Sequence, residues 1–209
     1  MKEISRLHYI TTSAELAEKA CMGGIDWIQL RLKNIPYADY YAIAKEVKTV
    51  CKQFGATFII NDNVALALDI NADGVHIGRQ DMSPEIARTL IGERFIIGCT
   101  ANTAEDVIRL SVLPIDYIGL GPFRFTSTKQ NLSPVLGIEG YKRIFARLKE
   151  ENITPPPLIG IGGITRNDIT ALMTTGLHGI AVSGAISNAT DVTGAAMAFR
   201  IYDDKHTTL

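Results

Sequence analysis

YIGLGPFRFTSTK, residues 117–129, begins as a short apolar run and turns abruptly into glycine, proline, hydroxyl groups and one ammonium. The apolar run is typical of a buried strand. Gly119 and Gly121 permit backbone conformations that other residues avoid. Three hydroxyl donors and a point charge suited to phosphate follow: Thr126, Ser127, Thr128 and Lys129. A strand that ends in this way predicts a site for an anion.

This apolar run is one of eight along the chain. Most of them are continuous rather than alternating, as in strands that are buried on both faces. The segments between them have helical spacing, and several open on a residue type that caps helices, such as Ser13 and Ser83. Residues 64–69 predict no more than a short helical turn. The eight runs are residues 7–10, 27–30, 57–60, 74–77, 95–98, 117–120, 158–161 and 179–182.

Strand and helix thus alternate eight times with short connections, which predicts parallel strands joined by right-handed crossovers. Eight such units in 209 residues predict an α/β fold, a (β/α)8 TIM barrel. An open doubly wound sheet is the alternative, but it usually has fewer units and a glycine-rich turn after its first strand. Residues 11–13 follow the first run without a glycine. Since no composition break divides the chain, we expect a single domain over residues 1–209.

The charge of the chain is nearly balanced, with 21 basic and 22 acidic residues and a formal net charge of -1. Such a chain lacks the basic surface of a nucleic-acid-binding protein. No apolar run approaches the ~20 residues that span a bilayer, and the first residues lack the apolar core of a secretory signal. We therefore expect a cytoplasmic protein with neither nucleic-acid nor membrane partners. A homo-oligomer is compatible with the sequence.

Polar and cationic side chains share one face of the segment that follows the second run. In a (β/α)8 barrel the active site lies at the carboxyl ends of the strands. Alternation directs Gln29, Arg31 and Lys33 to one side, toward the barrel axis or its mouth. A buried cation needs a partner, and the fork of Arg31 matches phosphate oxygens. We expect an anionic ligand here, with an internal ion pair to a barrel carboxylate as the alternative.

Two carboxylates, Asp62 and Asp81, follow the third and fourth runs. Magnesium prefers oxygen ligands, often one or two carboxylates together with substrate phosphates and water. A diphosphate held by Arg31, Lys33 and Lys129 would complete such a shell. Each aspartate alone is more often a helix cap, but the two together beside a cationic strand predict a magnesium site.

Glycine-rich loops follow the last two runs, in residues 160–164 and 181–186. Barrels often bind phosphate with these two loops and a short helix. After the fifth run, Thr100 and Asn102 offer hydrogen-bonding groups, although capping of the next helix by Asn102 or Thr103 explains that loop equally well.

The histidines and cysteines predict no further chemistry. His76 lies within the fourth run and is interpreted as a core residue or as a support for the site. No serine or cysteine partner indicates a catalytic triad, and the three cysteines form no CxxC pair, which argues against a disulfide framework and a zinc cluster. Cys99 is at a strand end, where packing is the preferred interpretation.

Five motifs in register resemble the thiamine-phosphate synthase family, also called thiamine-phosphate pyrophosphorylase. The resemblance covers nearly the whole chain. It implies a (β/α)8 barrel that joins 4-amino-2-methyl-5-hydroxymethylpyrimidine diphosphate to a thiazole phosphate, giving thiamine phosphate and diphosphate, with CO2 if the thiazole carries a carboxylate. The motifs are QLRLK at 29–33, Asn61-Asp62, ADGVHIGRQDM at 72–82, GLGPFRFTSTK at 119–129 and IGGI at 161–164.

The resemblance also implies roles for single positions. Asp62 and Asp81 would bind Mg2+, and Thr100 keeps the hydroxyl of a serine that is usual in the family. The catalytic groups would be Arg31, Lys33 and Lys129. The pyrimidine diphosphate would contact Gln29, Arg31, Lys33, Asn61 and Lys129. The thiazole phosphate would contact Thr126, Ser127, Thr128, Gly163, Ser183 and Gly184.

Three positions depart from the family pattern. Leu32 replaces a common glutamate, but by alternation it points away from the site. Asn102 replaces a common histidine, which leaves a proton role of that position open, and Ser183-Gly184 shifts a Val-Ser pattern, so the phosphate relies on backbone donors there.

The chemistry expected is a dissociative one, in which diphosphate leaves and the thiazole nitrogen attacks a short-lived pyrimidinyl carbocation. Two other functions stay open at this point. One is a thiazole tautomerase of similar sequence, and the other is a non-catalytic protein that binds thiamine precursors on the same fold. We also expect residues 125–134 to form a loop that closes over the site.

Overall fold

The computed structural model describes residues 2–125 and 134–200. Its eight strands form a closed barrel in which each strand pairs in parallel with its neighbours in sequence, and the last strand pairs with the first. The predicted (β/α)8 barrel is confirmed, and the open doubly wound sheet is excluded. The strands are β1 Leu7–Thr11, β2 Trp27–Leu30, β3 Thr57–Asn61, β4 Gly74–Ile77, β5 Ile96–Ala101, β6 Tyr117–Leu120, β7 Leu158–Ile161 and β8 Gly179–Val182.

The helices begin where the capping residues predict. The side chains of Ser13, Ser83 and Thr103 each accept a hydrogen bond from a main-chain N–H in the first turn of the next helix, which satisfies a donor that has no partner inside the helix. The helices are α1 Ala14–Met22, α2 Tyr37–Phe54, α3 Val64–Asp69, α4 Pro84–Ile91, α5 Ala104–Leu110, α6 Gly137–Glu150, α7 Ile169–Met173, α8 Gly184–Ser187 and α9 Val192–Arg200.

Two of these helices differ from the sequence-based prediction. Residues 64–69 form a full six-residue helix rather than a turn, because the side chain of Asn63 accepts a hydrogen bond from the N–H of Leu66 at 2.9 Å and caps it. The short helix α8 was not predicted. The hydroxyl and acidic residues at 165–168 predict a capping box, which is present, but the first turn there, Arg166–Asp168, is a 3-10 turn. Both lie in the loops after β7 and β8, so they shape the rim of the barrel.

Apolar residues pack in two layers, one inside the barrel and one between the strands and the helices. Ile28 and Leu30 belong to the outer layer, whereas Trp27 belongs to the inner one. Because side chains alternate along a strand, Gln29 also faces inward, as predicted, and its side chain is buried. The inner layer consists of Ile4, Ile10, Trp27, Ile59, Ile96, Tyr117, Ile159 and Ala181.

None of the helices in the described part of the chain combines the length and the apolar composition needed to cross a bilayer. The prediction of one domain over residues 1–209 stays a prediction.

Candidate active site

A buried hydrogen-bonded network forms the floor of the barrel mouth. The Nδ1 atom of His76 lies 3.0 Å from the hydroxyl of Tyr117, and its Nε2 atom lies 3.0 Å from the hydroxyl of Thr100. The side chain of Gln29 also bonds to Tyr117. His76 thus supports the site, as its position within the strand predicts. It holds the hydroxyl of Thr100 in place. The network links β2, β4, β5 and β6.

Arg31 directly follows the last residue of β2. Its main-chain N–H donates to the carbonyl oxygen of Thr11 at 3.0 Å, which fixes it beside β1. The side chain is half-buried, and among residues 2–125 and 134–200 no carboxylate lies within ion-pair distance of its guanidinium. The alternative of an internal ion pair is therefore excluded for the described residues. A half-buried guanidinium of this kind is suited to an anion.

Lys33, Asp62 and Asp81 lie together at the rim. The ammonium of Lys33 forms an ion pair with Oδ2 of Asp62. Oδ2 of Asp81 accepts a hydrogen bond from the N–H of Gly78 at 2.8 Å. A Cβ atom placed on Gly78 would lie 2.6 Å from Oδ2 of Asp81 and 3.6 Å from Oδ1 of Asp62, so both carboxylates border the same glycine. The two aspartates that are distant in sequence are thus neighbours.

Neither aspartate serves as a helix cap. Asn63, not Asp62, caps α3, and Ser83, not Asp81, caps α4. Asp62 has a φ of +66°, a left-handed conformation that is uncommon outside glycine, and its N–H donates to the carbonyl oxygen of His76 at 2.7 Å. Strained conformations of this kind occur often at functional sites. Because Asn63 and Ser83 cap the two helices, the alternative that the aspartates are helix caps is excluded.

The two carboxylates influence each other. The pKa of Asp81 is raised above its ordinary value of 3.8, first by burial and then by its hydrogen bond and charge interaction with Asp62. A divalent cation would relieve both effects, because it neutralises the pair. Within the described residues no group of three or more metal-ligating side chains occurs, and magnesium often takes only one or two carboxylates, with substrate phosphates and water as the remaining ligands. The donor set therefore fits Mg2+.

Asn61 carries an unsatisfied donor at the end of β3. The residue is 5% exposed, and its Nδ2 atom has no hydrogen-bond partner among residues 2–125 and 134–200. Burying an amide N–H without a partner costs about 1–3 kcal/mol, and a bound molecule would remove this cost. The atom is therefore available to donate a hydrogen bond to a ligand.

The loops after β7 and β8 supply main-chain donors. Gly162 and Gly163 have φ angles of +102° and +66°, and a Cβ atom on Gly162 would lie 2.8 Å from Cβ of Pro122. Ser183 precedes α8, whose first N–H groups have no partner inside the helix. The hydroxyl of Tyr9, 2.8 Å from that of Ser187, anchors α8 to β1.

Side chains from both neighbouring loops hold the segment after β6. The Nδ2 atom of Asn102 donates to the carbonyl oxygen of Gly121, while Thr103 caps α5. Asn102 therefore supports the β6 loop rather than the helix. On the other side, Arg124 forms an ion pair with Asp168. The sequence predicts a capping role for Asp168 and no role for Arg124, and no local pattern joins positions that are 44 residues apart.

Cys99 and the β6 loop complete the set of predicted residues. Cys99 is buried in the outer apolar layer, which confirms packing as its role. Phe125 is exposed. Residues 126–133 of the predicted loop lie outside the described residues, and so does the predicted closure of that loop over the site. The same holds for Thr126, Ser127, Thr128 and Lys129.

The sequence matches the family model described as thiamine monophosphate synthase over residues 4–186. This chain belongs to the thiamine monophosphate synthase family. The match spans all eight strands and the rim residues described above, so the resemblance of the five motifs is confirmed.

Several members of the thiamine monophosphate synthase family are similar to this chain over most of their length. The thiamine-phosphate synthase of Bacteroides thetaiotaomicron is 51% identical over 180 residues, covering 86% of each chain. That of Flavobacterium johnsoniae is 48% identical over 189 residues, covering 90% of this chain and 89% of its own. The structure of thiamine phosphate pyrophosphorylase from Pyrococcus furiosus superposes with a TM-score of 0.82 at 30% identity, covering 94% of both chains.

Proposed function

We propose that this protein condenses 4-amino-2-methyl-5-hydroxymethylpyrimidine diphosphate with a thiazole phosphate, releasing thiamine phosphate and diphosphate. Relatives about 50% identical over 84–90% of the chain carry the name thiamine-phosphate synthase. None of the relatives described above is named a tautomerase, so the tautomerase alternative has no support. CO2 would be a further product if the thiazole carries a carboxylate.

One observation supports this function above the others: a guanidinium and a carboxylate pair meet at one rim. Arg31 has no carboxylate partner in the described chain, while Asp62 and Asp81 lie close together around Gly78. Cations that bind oxygens of a diphosphate and carboxylates that bind a divalent ion are the two groups that a departing diphosphate requires.

Asp62 and Asp81 would hold Mg2+. When bound, the ion supplies positive charge next to the diphosphate oxygens, where negative charge grows as the C–O bond breaks. Lys33, which contacts Asp62, joins the metal ligands to the cationic segment after β2, so it would bind the same diphosphate.

The side chains of the rim bind and orient the pyrimidine diphosphate. Arg31, Lys33 and Lys129 would neutralise the leaving diphosphate, and such prearranged charge is the main source of acceleration in many enzymes. The free Nδ2 donor of Asn61 and the amide of Gln29 would fix the pyrimidine part, with the Thr100 hydroxyl beside them. The thiazole phosphate would bind at Thr126, Ser127, Thr128, Gly163, Ser183 and Gly184.

No side chain of this set needs to act as a nucleophile. Burial raises the pKa of Cys99 to about 12, so its thiol stays protonated, and it faces the outer layer. The aminopyrimidine delocalises the positive charge that develops when diphosphate leaves, and the thiazole nitrogen then attacks that carbon. Positioning the two substrates within contact supplies the remaining acceleration. A cytoplasmic location and a homo-oligomer stay predictions.

One incubation tests the function. The purified protein is mixed with the pyrimidine diphosphate, the thiazole phosphate and Mg2+, and thiamine phosphate and diphosphate are quantified. We expect the two products in equal amounts and none when either substrate is omitted. Binding of both substrates without product would instead identify a non-catalytic binding protein.

A further inference from the structure

The guanidinium of Arg124 joins the loop after β6 to the loop after β7. Its Nη1 atom donates to the carbonyl oxygen of Gly163 at 3.0 Å and to Oδ2 of Asp168 at 2.6 Å, and its Nη2 atom donates to Oδ1 of Asp168. The pair is therefore bidentate, a geometry that fixes the plane of the guanidinium. Arg124 also lies over the ring of Phe123, 4.6 Å from its centroid.

Asp168 is itself held in place. Its Oδ2 atom accepts hydrogen bonds from the main-chain N–H of Thr165 at 2.8 Å and from the Thr165 hydroxyl at 2.7 Å. Its side chain is 11% exposed, whereas that of Arg124 is 48% exposed. The hydrogen bond from Arg124 is the first of the causes that lower the pKa of Asp168 to about 2, so the carboxylate is charged at neutral pH. The pair therefore gives Arg124 a rigid, permanently charged support.

Arg124 holds two successive carbonyl groups. Its main-chain N–H donates to the carbonyl oxygen of Gly162 at 2.9 Å, and its guanidinium holds that of Gly163. In a planar trans peptide the C=O and the following N–H point in opposite directions. The N–H groups of Gly163 and Ile164 therefore point away from Arg124. Successive main-chain N–H groups that face the same side are the element of concave anion sites.

We infer that Arg124 and Asp168 are positioning residues for the phosphate of the thiazole substrate. The main-chain N–H of Arg124 holds the carbonyl group of Gly162, and its guanidinium, fixed by Asp168, holds that of Gly163. Together these contacts aim the N–H groups of Gly163 and Ile164 at the position where that phosphate binds. Left-handed glycines have few steric restraints of their own, so the side chain supplies the restraint that the backbone lacks. The inference rests on the proposed function, because it takes the thiazole phosphate as the ligand.

Arg124→Met tests the inference, since methionine keeps an unbranched side chain and removes the guanidinium, including its contact with the Phe123 ring. We expect the KM for the thiazole phosphate to rise about tenfold, the value of one charge-assisted hydrogen bond, with kcat and the KM for the pyrimidine diphosphate nearly unchanged. Arg124→Lys should restore part of the loss, because one ammonium reaches either Asp168 or the carbonyl of Gly163.

A substrate without the phosphate separates positioning from general damage. With the thiazole alcohol in place of its phosphate, the wild type and Arg124→Met should have equal kcat/KM, because the guanidinium acts only through the phosphate site. The matched control is Arg147→Met, which removes an arginine that pairs with Glu105 and Glu151 on the outside of the barrel and should change neither constant.

Two results would overturn the inference. One is an unchanged KM for the thiazole phosphate in Arg124→Met, and the other is an equal loss with the phosphate and with the alcohol. Failure of the proposed function looks different, because the wild type itself would then form no thiamine phosphate.

Discussion

The ammonium of Lys33 forms an ion pair with the carboxylate of Asp62 between the ends of β2 and β3. A residue proposed for the diphosphate and a residue proposed for the metal are thus in direct contact. Since Asp62 is also close to Asp81 around Gly78, a change at Asp62 should affect the metal and the leaving group together.

Replacing Asp62 by alanine should lower kcat/KM by a factor of about 100–1000, the usual cost of removing one group that stabilises transition-state charge. The dependence of the rate on Mg2+ concentration should weaken as well, because one of two carboxylate ligands is lost. Steady-state rates across a magnesium titration measure both effects. Circular dichroism should show an intact fold, and Asp39→Ala, at an exposed position on α2, is the control. Wild-type rates in Asp62→Ala would remove the metal assignment.

Asp81→Asn should stabilise the protein in metal-free buffer at pH 7. The folded state raises the pKa of Asp81, so this group favours folding below the ordinary value of 3.8 and loses that contribution as the pH rises through the raised value. Asparagine removes the repulsion from Asp62 while its amide oxygen still accepts from Gly78. The gain in unfolding free energy should be about a few tenths of a kcal/mol, because solvent screens the exposed rim.

Magnesium should reverse that order of stability. A ligand that binds only the folded state raises its stability, so Mg2+ together with diphosphate should raise the Tm of the wild type more than that of Asp81→Asn. Thermal unfolding with and without the ions measures this difference. Equal shifts in both proteins would show that Asp81 does not bind the ion.

Arg31→Lys should raise the KM for the pyrimidine diphosphate by a factor of about 10–100, because an ammonium cannot make the two parallel hydrogen bonds of a guanidinium. The KM for the thiazole phosphate should stay close to that of the wild type. Arg109→Lys, an exposed position on α5, is the matched control. If both KM values rose equally, Arg31 would have a structural role instead.

Acid sensitivity should depend on His8, which stacks on Trp27 inside the barrel with ring centroids 4.2 Å apart. Burial lowers the pKa of His8 to about 3 from its ordinary value of 6.5. The folded state therefore keeps the ring neutral, and the resulting stability is present above pH 6.5 and lost as the pH falls from there through 3.

The measurement is urea unfolding between pH 7 and pH 4.5. In the wild type the free energy of unfolding should fall with decreasing pH, and His8 contributes up to ~1.4 kcal/mol per pH unit to this slope below pH 6. His8→Phe should lose that contribution. His178→Gln, a half-buried position at the opposite strand ends from the site, should keep most of it. An unchanged slope in His8→Phe would mean that other groups cause the acid sensitivity.

The sequence predicts the barrel well because each buried parallel strand corresponds to a short, continuous apolar run. Runs such as 27–30 and 158–161 coincide with strands to the residue, since both faces of each strand are covered and every position is apolar or inward-facing. The inward direction of Gln29 follows from alternation alone. The meeting of Asp62 with Asp81 follows from the shared rim of neighbouring parallel strands.

What the sequence could not predict depends on contacts between distant loops. Arg124 and Asp168 are 44 residues apart, and each has a sufficient local interpretation, one in a polar loop and the other as part of a capping box. The free donor of Asn61 is visible only once the surrounding side chains are in place. The helix α8 has four residues, too few for a periodic pattern.

The rate with an electron-poor pyrimidine tests the central chemical claim, that the rim draws diphosphate away and leaves positive charge on the pyrimidine. A trifluoromethyl group in place of the pyrimidine methyl group would destabilise that charge without altering the diphosphate. Single-turnover formation of the thiamine phosphate analogue should slow by at least about 100-fold, equivalent to ~3 kcal/mol at the barrier. A rate within about threefold of the natural substrate's, less than ~1 kcal/mol, would contradict a dissociative reaction.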